Sequence, residues 1–260
     1  EQSMEERRGR NDDDGVMLWN DNEFGTVEED AKRRDFTVNA LYYDPCRGKE
    51  VLDFVGGMDD MKNGVVRAIG DADYRLSEDP VRILRALKLV GQYGFTLTPE
   101  LENAVRNVSP EIMKASRSRC YEELLKVFNK PHSADMVSAF AKYGFFEFYL
   151  PNFADEWEDE ETGPLMYALL KKRDESMAKG GYSNSRRLAL ATAATIPVIM
   201  ELAGEVCEGL WEHEEGIDNQ IREVVDSMFF PLQLPKFVSS RARDVLMNLP
   251  RFFLDKGKKR

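Results

Sequence analysis

Strand-forming sequence in this chain is confined to its first 70 residues, and from Ser77 onward the readable period is that of a helix. The break predicts an α+β protein: a small mixed α/β part followed by an all-α part. Hydrophobic residues make up 42% of the 260, enough for a real core.

The mixed part opens with residues 1 to 14, polar and almost free of apolar side chains, as in a disordered tail or one end of a flexible loop. Gly15 to Trp19 is a short strand candidate. Thr26-Val27-Glu28-Glu29 has the capping-box spacing and starts a short helix through Arg33 or Arg34. Phe36 to Tyr43, rich in β-branched and aromatic residues, reads as a strand ended by the turn Asp44-Pro45. Lys49 to Phe54 is its expected antiparallel partner across Cys46-Arg47-Gly48. Gly56-Gly57 breaks the sheet, a short helix follows through Met61, and Val65 to Ile69 is a last strand.

In the second part, helix starts are expected at Ser77, Thr98-Pro99, Ser109-Pro110, around Ser118 and at Ser133, with Gly94 and Gly144 at C-caps. Residues 136, 137, 140 and 143 keep a helical period. Residues 151 to 163 read as an acidic connector; Leu165 to Leu170, Arg187 to Ala203 and Ile221 to Phe229 continue the helical pattern, and Asp255 to Arg260 is a basic tail. His132 and His213 stand alone and read as surface or packing residues.

The stretch Glu78 to Lys88 has two faces. At about 100° per residue, Ile83, Leu84, Leu87 and Val90 gather on one side, Arg82, Arg85 and Lys88 on the other, with Asp79 at the border. Ser77 is the expected cap and Pro80 is tolerated in the first turn. Taken alone, the charged side is an ordinary solvated face. A second charged cluster, Asp30 to Asn39, packs Arg33, Arg34, Asp35, Thr37 and Asn39 into a helix-to-strand junction. The arginine fork suits phosphate oxygens, and aspartate and asparagine suit ribose hydroxyls. Equally, Arg34 and Asp35 would serve to tie a helix end to a strand.

The net charge of 36 − 47 = −11 argues against a protein coated for nucleic acid. The acid is concentrated in Asp12-Asp13-Asp14 and Asp155 to Glu161, whereas Arg67 to Lys130 is rich in Arg and Lys, so a local basic face is compatible with the total. No apolar run is long enough for a membrane span, and Glu1 onward has no signal-peptide core, so no membrane partner and a cytoplasmic location are expected. Cys46, Cys120 and Cys207 form no CxxC pair and read as small buried hydrophobes.

Together the two clusters resemble a known family. Phe24 to Tyr43, Asp53-Phe54-Val55-Gly56-Gly57, Glu78-Asp79-Pro80-Val81-Arg82-Ile83-Leu84-Arg85 and Ser118 to Lys126 are similar, in order and spacing, to the motifs of the class II tRNA nucleotidyltransferases (CCA-adding) and bacterial poly(A) polymerases. The resemblance covers about residues 15 to 130. Phe24-Gly25-Thr26 and Asn39 to Tyr43 look more like the poly(A) polymerase branch.

That resemblance implies a nucleotidyltransferase head ending at residue 70, a nucleobase- and RNA-binding helical neck over 71 to 130, and an RNA-binding helical body over 131 to 260. It implies a nucleotide contact for Arg34, ribose contacts for Asp35 and Asn39, base reading by Asp79 and Arg82, and nucleotide or phosphate contacts for Arg85 and Lys88. Arg119 and Glu122 would brace the base-reading helix from behind. Lys88 stands where many relatives have arginine and lacks the two-pronged geometry.

The family's phosphoryl transfer uses two metal ions on a pair of aspartates one residue apart. No such set precedes Asp35, so no catalytic or metal-binding residue is assigned in this chain, and the carboxylates are expected upstream of Glu1, on a truncated or cleaved segment or on a separate partner chain. Asp71-Ala72-Asp73 has the spacing but no glycine-rich turn, and reads as a loop. The function implied is that of an adenylyltransferase adding AMP from ATP to RNA 3′ ends with Mg2+ in the complete enzyme, this chain selecting nucleotide and holding RNA but inactive alone. The alternatives are CCA addition to tRNA from CTP and ATP, and a non-catalytic RNA-binding relative.

Overall fold

The structure is a computed structural model that describes residues 25–46, 48, 50–180, 217–240, 242 and 244. The readings made for residues 1 to 14, Gly15 to Trp19, Arg187 to Ala203, Cys207, His213 and the basic tail lie outside the described residues.

Helix α1 (Val27–Arg33) begins at the expected capping box: Thr26 Oγ1 accepts the Glu29 N–H, and the Glu29 carboxylate accepts the Thr26 N–H. Strand β1 (Leu41–Tyr43) pairs antiparallel with β2 (Val51–Asp53), as expected, and α2 (Gly57–Asn63) follows the Gly56-Gly57 break. The strand expected from Phe36, however, is interrupted. Phe36 bridges to Ala68, and Thr37–Asn39 form a 3-10 turn. The cause is polar and steric. Thr37 Oγ1 donates to the buried Asp60 at 2.7 Å, and α2 packs so closely that a Cβ on Gly57 would lie 2.2 Å from the Thr37 carbonyl oxygen.

Among the described residues, the helical part contains one strand the sequence did not reveal. Beyond Gly94, β4 (Thr96–Leu97) pairs in parallel with β3 (Val65–Val66), too short to show a period of two. Two boundaries also move. Asp71 caps α3 (Ala72–Glu78) by accepting the Tyr74 N–H at 2.8 Å, so Asp71-Ala72-Asp73 is a helix start, not a loop. Ser77 lies inside α3 and caps nothing; Pro80 holds Asp79 in extended backbone (φ −147°, ψ 91°) and α4 (Val81–Tyr93) starts after it.

Thr98 caps α5 (Pro99–Val108), a 3-10 segment covers Ser109–Lys114, and α6 (Arg117–Phe128), α7 (Ser133–Lys142) and α8 (Phe146–Tyr149) follow. The acidic connector is largely helical. In α9 (Pro151–Glu158), Phe153 and Ala154 are buried and Trp157 packs on the core, leaving the carboxylates for the other side. Then come α10 (Thr162–Ala178) and α11 (Ile217–Met228).

One apolar cluster runs from Phe36 and Val66 through Ile83, Leu84, Leu87 and Val90 to Phe140, Phe153, Leu170 and Val225. The apolar face of α4 is its centre, and α7 lies directly against it at Gly91, where a Cβ would come within 2.3 Å of the Met136 Cα. Of the described cysteines, Cys120 is buried but Cys46, expected to be buried, is exposed beside the Asp44-Pro45 turn. Among the described residues no helix is long and apolar enough to cross a membrane.

Candidate functional site

With its apolar face buried, α4 turns Arg82, Arg85 and Lys88 toward the α1 end and toward α6. Asp35, on the link between α1 and the 3-10 turn, meets two of them. It accepts Arg82 Nε on Oδ1 at 2.9 Å and Arg85 Nη1 on Oδ2 at 2.6 Å. Residues far apart in sequence are thus joined by a single carboxylate. Such charge-assisted bonds are the strong kind, and Asp35 and Arg82 are largely shielded from solvent.

Arg82 is further fixed by Nη1, which donates to the Arg75 carbonyl at 2.6 Å and to Glu78 Oε2 at 2.5 Å. Its Nη2 has no partner among the described residues. Arg75 in turn donates through Nη2 to the carbonyls of Arg33 and Arg34, at 2.7 and 3.1 Å, while its Nε is buried without a hydrogen-bond partner. Helix α3 therefore clamps the end of α1 to the start of α4.

Asp79 sits between the two helices. Its Oδ1 accepts the Val81 N–H at 3.3 Å and its Oδ2 accepts Arg119 Nη2 from α6 at 2.6 Å. Glu122, expected as the second brace, is exposed; the carboxylate that faces α4 is Glu123. It accepts Arg85 Nε, Lys88 Nζ and Lys126 Nζ. Burial alone would raise the Glu123 pKa, but bonds from Lys126 and Lys88 and the charges of Lys88 and Arg85 overcome it, and the carboxyl is held at about 2. Burial acts the other way on Lys88 and pulls its ammonium below the usual lysine range. Arg85 is likewise opposed by burial, yet its bond to Asp35 raises its pKa.

The apolar side of α6 holds a signal for Glu123 that the expectation of Glu122 overlooked. Glu122 and Glu123 both fit the row of Arg119 and Lys126, at i+3 and i+4 from Arg119, but Glu123 also lies three residues from Cys120 and four from Val127 on the apolar side of α6. Within α3 Arg75 Nη1 donates to Glu78 Oε2 at 2.9 Å, but for its tie to α1 no sequence signal was available, because the acceptors there are backbone carbonyls.

Arg34 is half exposed. Its Nε and Nη2 donate to Asp30 Oδ2 at 3.2 and 2.9 Å, and its guanidinium lies over the Tyr42 ring, 5.9 Å from the centroid. The Tyr42 hydroxyl and Arg34 hold the Asp30 carboxyl below the usual range. Asn39 is exposed at the end of the 3-10 turn, with no side-chain partner among the described residues. So Asp35, Arg82 and Arg85 are in direct contact, Lys88 joins them through Glu123 and Asp79 is tied to α6 by Arg119, whereas Arg34, held on Asp30, and Asn39 are exposed and bond to none of these residues.

Elsewhere in the mixed part, Asp53 accepts four backbone N–H groups, from Val55, Gly56, Gly57 and Met58, and so closes the start of α2. Asp60 is occupied by Thr37 and Arg67, and Asp73 by Asn107. Among the described residues no group of three or more His, Cys, Asp or Glu converges as a metal ion requires. These residues do not fit a resident metal, and no metal-dependent step is derived from them. What the assembly offers is a fixed set of donors and acceptors on the polar side of α4, open at Arg34, Asn39 and Arg82 Nη2.

Comparison with known proteins finds two family models matching in sequence order. The model of the poly A polymerase head domain matches residues 2–67, and that of the probable RNA and SrmB-binding site of polymerase A matches residues 94–156. Poly(A) polymerase I of Escherichia coli O6:H1 is 30% identical over 258 residues, 97% of this chain and 54% of the relative. The CCA-adding enzyme of Lactobacillus helveticus is 34% identical over 59% of this chain and 41% of its own length. A solved complex of a CCA-adding enzyme with ATP shares the fold, with a TM-score of 0.58 and 19% identity over 90% of this chain and 51% of that one. The chain spans about half the length of the curated poly(A) polymerase it matches (54%). Two family models in sequence order, a relative aligned along nearly the whole chain and the shared fold agree, and the chain belongs to the family of poly(A) polymerases and CCA-adding nucleotidyltransferases.

Proposed function

We propose that this chain selects the nucleotide and holds the RNA in a nucleotidyltransferase of poly(A) polymerase type, which adds AMP from ATP to RNA 3′ ends. The observation that carries the reading is the joining of Asp35, Arg82 and Arg85 on one side of α4 with Asp79 fixed beside them by Arg119. In this reading residues 1 to 70 belong to the head, 71 to 130 form the neck and 131 to 260 the body.

The residues divide the nucleotide among them. Arg34, half exposed with its Nε–Nη2 edge held on Asp30, offers the other edge of its guanidinium, Nη1 with the second Nη2 N–H, to phosphate oxygens. Asp35 and Asn39 face the ribose. Asp79 retains lone pairs beyond its two bonds and Arg82 retains the Nη2 donor, so together they present an acceptor and a donor to a base edge. Adenine offers the complement, an amino donor beside a ring-nitrogen acceptor. Cytosine offers the same pattern, and guanine and uracil reverse it. The pair therefore favours adenine and cytosine, and the space around it decides between them. Mg2+ in the complete enzyme would neutralise the triphosphate and activate the RNA hydroxyl; the described residues are assigned no part in that step.

The alignment of poly(A) polymerase I along 97% of the chain supports the ATP-specific form; the matching CCA-adding enzyme aligns with 59%. The latter match keeps CCA addition as the second reading. Incorporation assays on the complete protein with Mg2+ and an RNA primer test the choice. AMP addition from ATP alone is expected. Comparable use of CTP would favour CCA addition, and no incorporation at all would leave an RNA-binding relative.

A further inference from the structure

The open Nη2 of Arg82 can meet a base edge reliably only if the rest of its guanidinium is held, and Arg75 stands at the centre of what holds it. Arg75 lies on α3, outside every stretch that the motifs cover. Its backbone carbonyl accepts Arg82 Nη1 at 2.6 Å. Its side-chain Nη1 donates at 2.9 Å to Glu78 Oε2, the same oxygen that accepts Arg82 Nη1 at 2.5 Å. Its Nη2 reaches back to the Arg33 and Arg34 carbonyls at the end of α1, where a helix leaves acceptors without intrahelical donors.

These bonds close on themselves. Arg75 holds the Arg34 carbonyl, and the next residue, Asp35, accepts Arg82 Nε at 2.9 Å. Arg82 then returns to Arg75 through Glu78. The side chains of Asp35, Arg75, Glu78 and Arg82 are mostly shielded from solvent, so their charges are weakly screened. In an open chain of bonds each member can swing about the one before it. In this closed one the aim of Arg82 is fixed from both ends, by Glu78 on α3 and by Asp35 beside α1. Closure needs two nitrogens held apart in one plane, one for Glu78 and one for the α1 carbonyls, and a guanidinium supplies them. The Arg75 Nε–H is meanwhile buried with no partner, a cost to stability. Arg75 thus loses stability at one nitrogen while closing the circuit with the other two.

We propose that Arg75 is a positioning residue for nucleotide selection, acting through Arg82 by setting the base-reading donor against the Arg34–Asp35 end of the site. The proposal rests on the reading of Asp79 and Arg82 as the base readers and adds to them a residue that touches no nucleotide. An ordinary i, i+3 pair within α3 would need only Nη1, whereas Nη2 spans 42 and 41 residues of sequence to reach α1.

Competition binding of ATP and GTP to the 260-residue chain and to Arg75→Lys tests it, with thermal unfolding of the same samples. Lysine keeps the charge and removes the buried Nε–H, so the variant is expected to fold, but its single nitrogen cannot close the circuit. ATP affinity should fall and GTP affinity hold, taking a wild-type preference of about tenfold or more to about threefold or less. In an Arg82→Lys background the same change should alter the preference no further, because the two residues act as one unit. Arg75→Met, which keeps the stem and removes every side-chain donor, should give the same loss and serves if the lysine variant fails to fold. An unaltered preference in a folded variant would overturn the proposal and leave Arg75 a structural tie. Equal loss of ATP and GTP affinity would also overturn it, since the effect would then lie on the triphosphate. So would a further fall in preference in the Arg82→Lys background. A wild-type chain with no preference for ATP over GTP would remove the reading of Asp79 and Arg82 as base readers, and the proposal with it.

Discussion

Glu123, given no role from the sequence, is the buried carboxylate at the contact of α4 with α6. Three cations hold its carboxyl at about 2, below the ordinary 4.5. Because the folded-state pKa is depressed, the stability it contributes is complete above about pH 4.5 and is lost as pH falls from there toward 2. The shift corresponds to about 3 kcal/mol. Urea unfolding at pH 6, 4.5 and 3 should show this loss, and Glu123→Gln should be less stable at pH 6 and flatter across the acid range; an identical acid slope in the variant would contradict it. The cysteines give a second residue-scale outcome. Burial pushes the Cys120 thiol up to about 11, whereas Cys46 is exposed. Thiol labelling at pH 7.5 with peptide mapping should modify Cys46 and spare Cys120 until the chain is unfolded. At this scale the sequence was most readable where one side chain meets another at a regular helical interval, as with Ile83, Leu84 and Leu87 on the buried face of α4. It misled by one position at Glu122 because two adjacent glutamates compete for one row, and it was silent on the tie of Arg75 to α1 because backbone carbonyls leave no trace in side-chain pattern.

Among the elements, α4 depends on two glycines in opposite ways. Gly91 lets α4 and α7 touch backbone to backbone, so Gly91→Ala should cost about 2 to 3 kcal/mol through forced separation of the helices. Gly94, at φ +69° with open space around it, should cost only about 1 kcal/mol as alanine, from the left-handed backbone alone. Chemical denaturation of both variants checks the order; a smaller loss at Gly91 than at Gly94 would contradict the packing described for α7. Capping signals at Thr26 and Thr98 were legible because a single hydroxyl satisfies a local N–H. By contrast, the start of α4 was misplaced at Ser77, where the restriction that Pro80 places on Asp79 outweighs a favourable cap residue. The 3-10 turn at Thr37–Asn39 was hidden for a different reason. It depends on Asp60 and Gly57, some twenty residues away, and local strand propensity is overridden by those contacts.

For the whole molecule, the order of a mixed part followed by helices was written plainly in the strand and helix periods, and two family models follow the same order. What no linear reading supplied is the convergence of α1, α3, α4 and α6 on one polar centre, since it is set by packing across the core. The central claim is that Asp79 and Arg82 present an acceptor and a donor to the base. Competition binding of ATP, CTP, GTP and UTP to the wild-type chain and to Asp79→Ala measures it most directly, with thermal unfolding run alongside to verify folding. The account predicts that the wild type prefers ATP over GTP and UTP by about tenfold or more, on the order of 1 to 3 kcal/mol for a paired base contact. It also predicts that folded Asp79→Ala loses this preference while retaining most of its triphosphate affinity. Equal binding of all four nucleotides by the wild type, or unaltered preference in the variant, would contradict it.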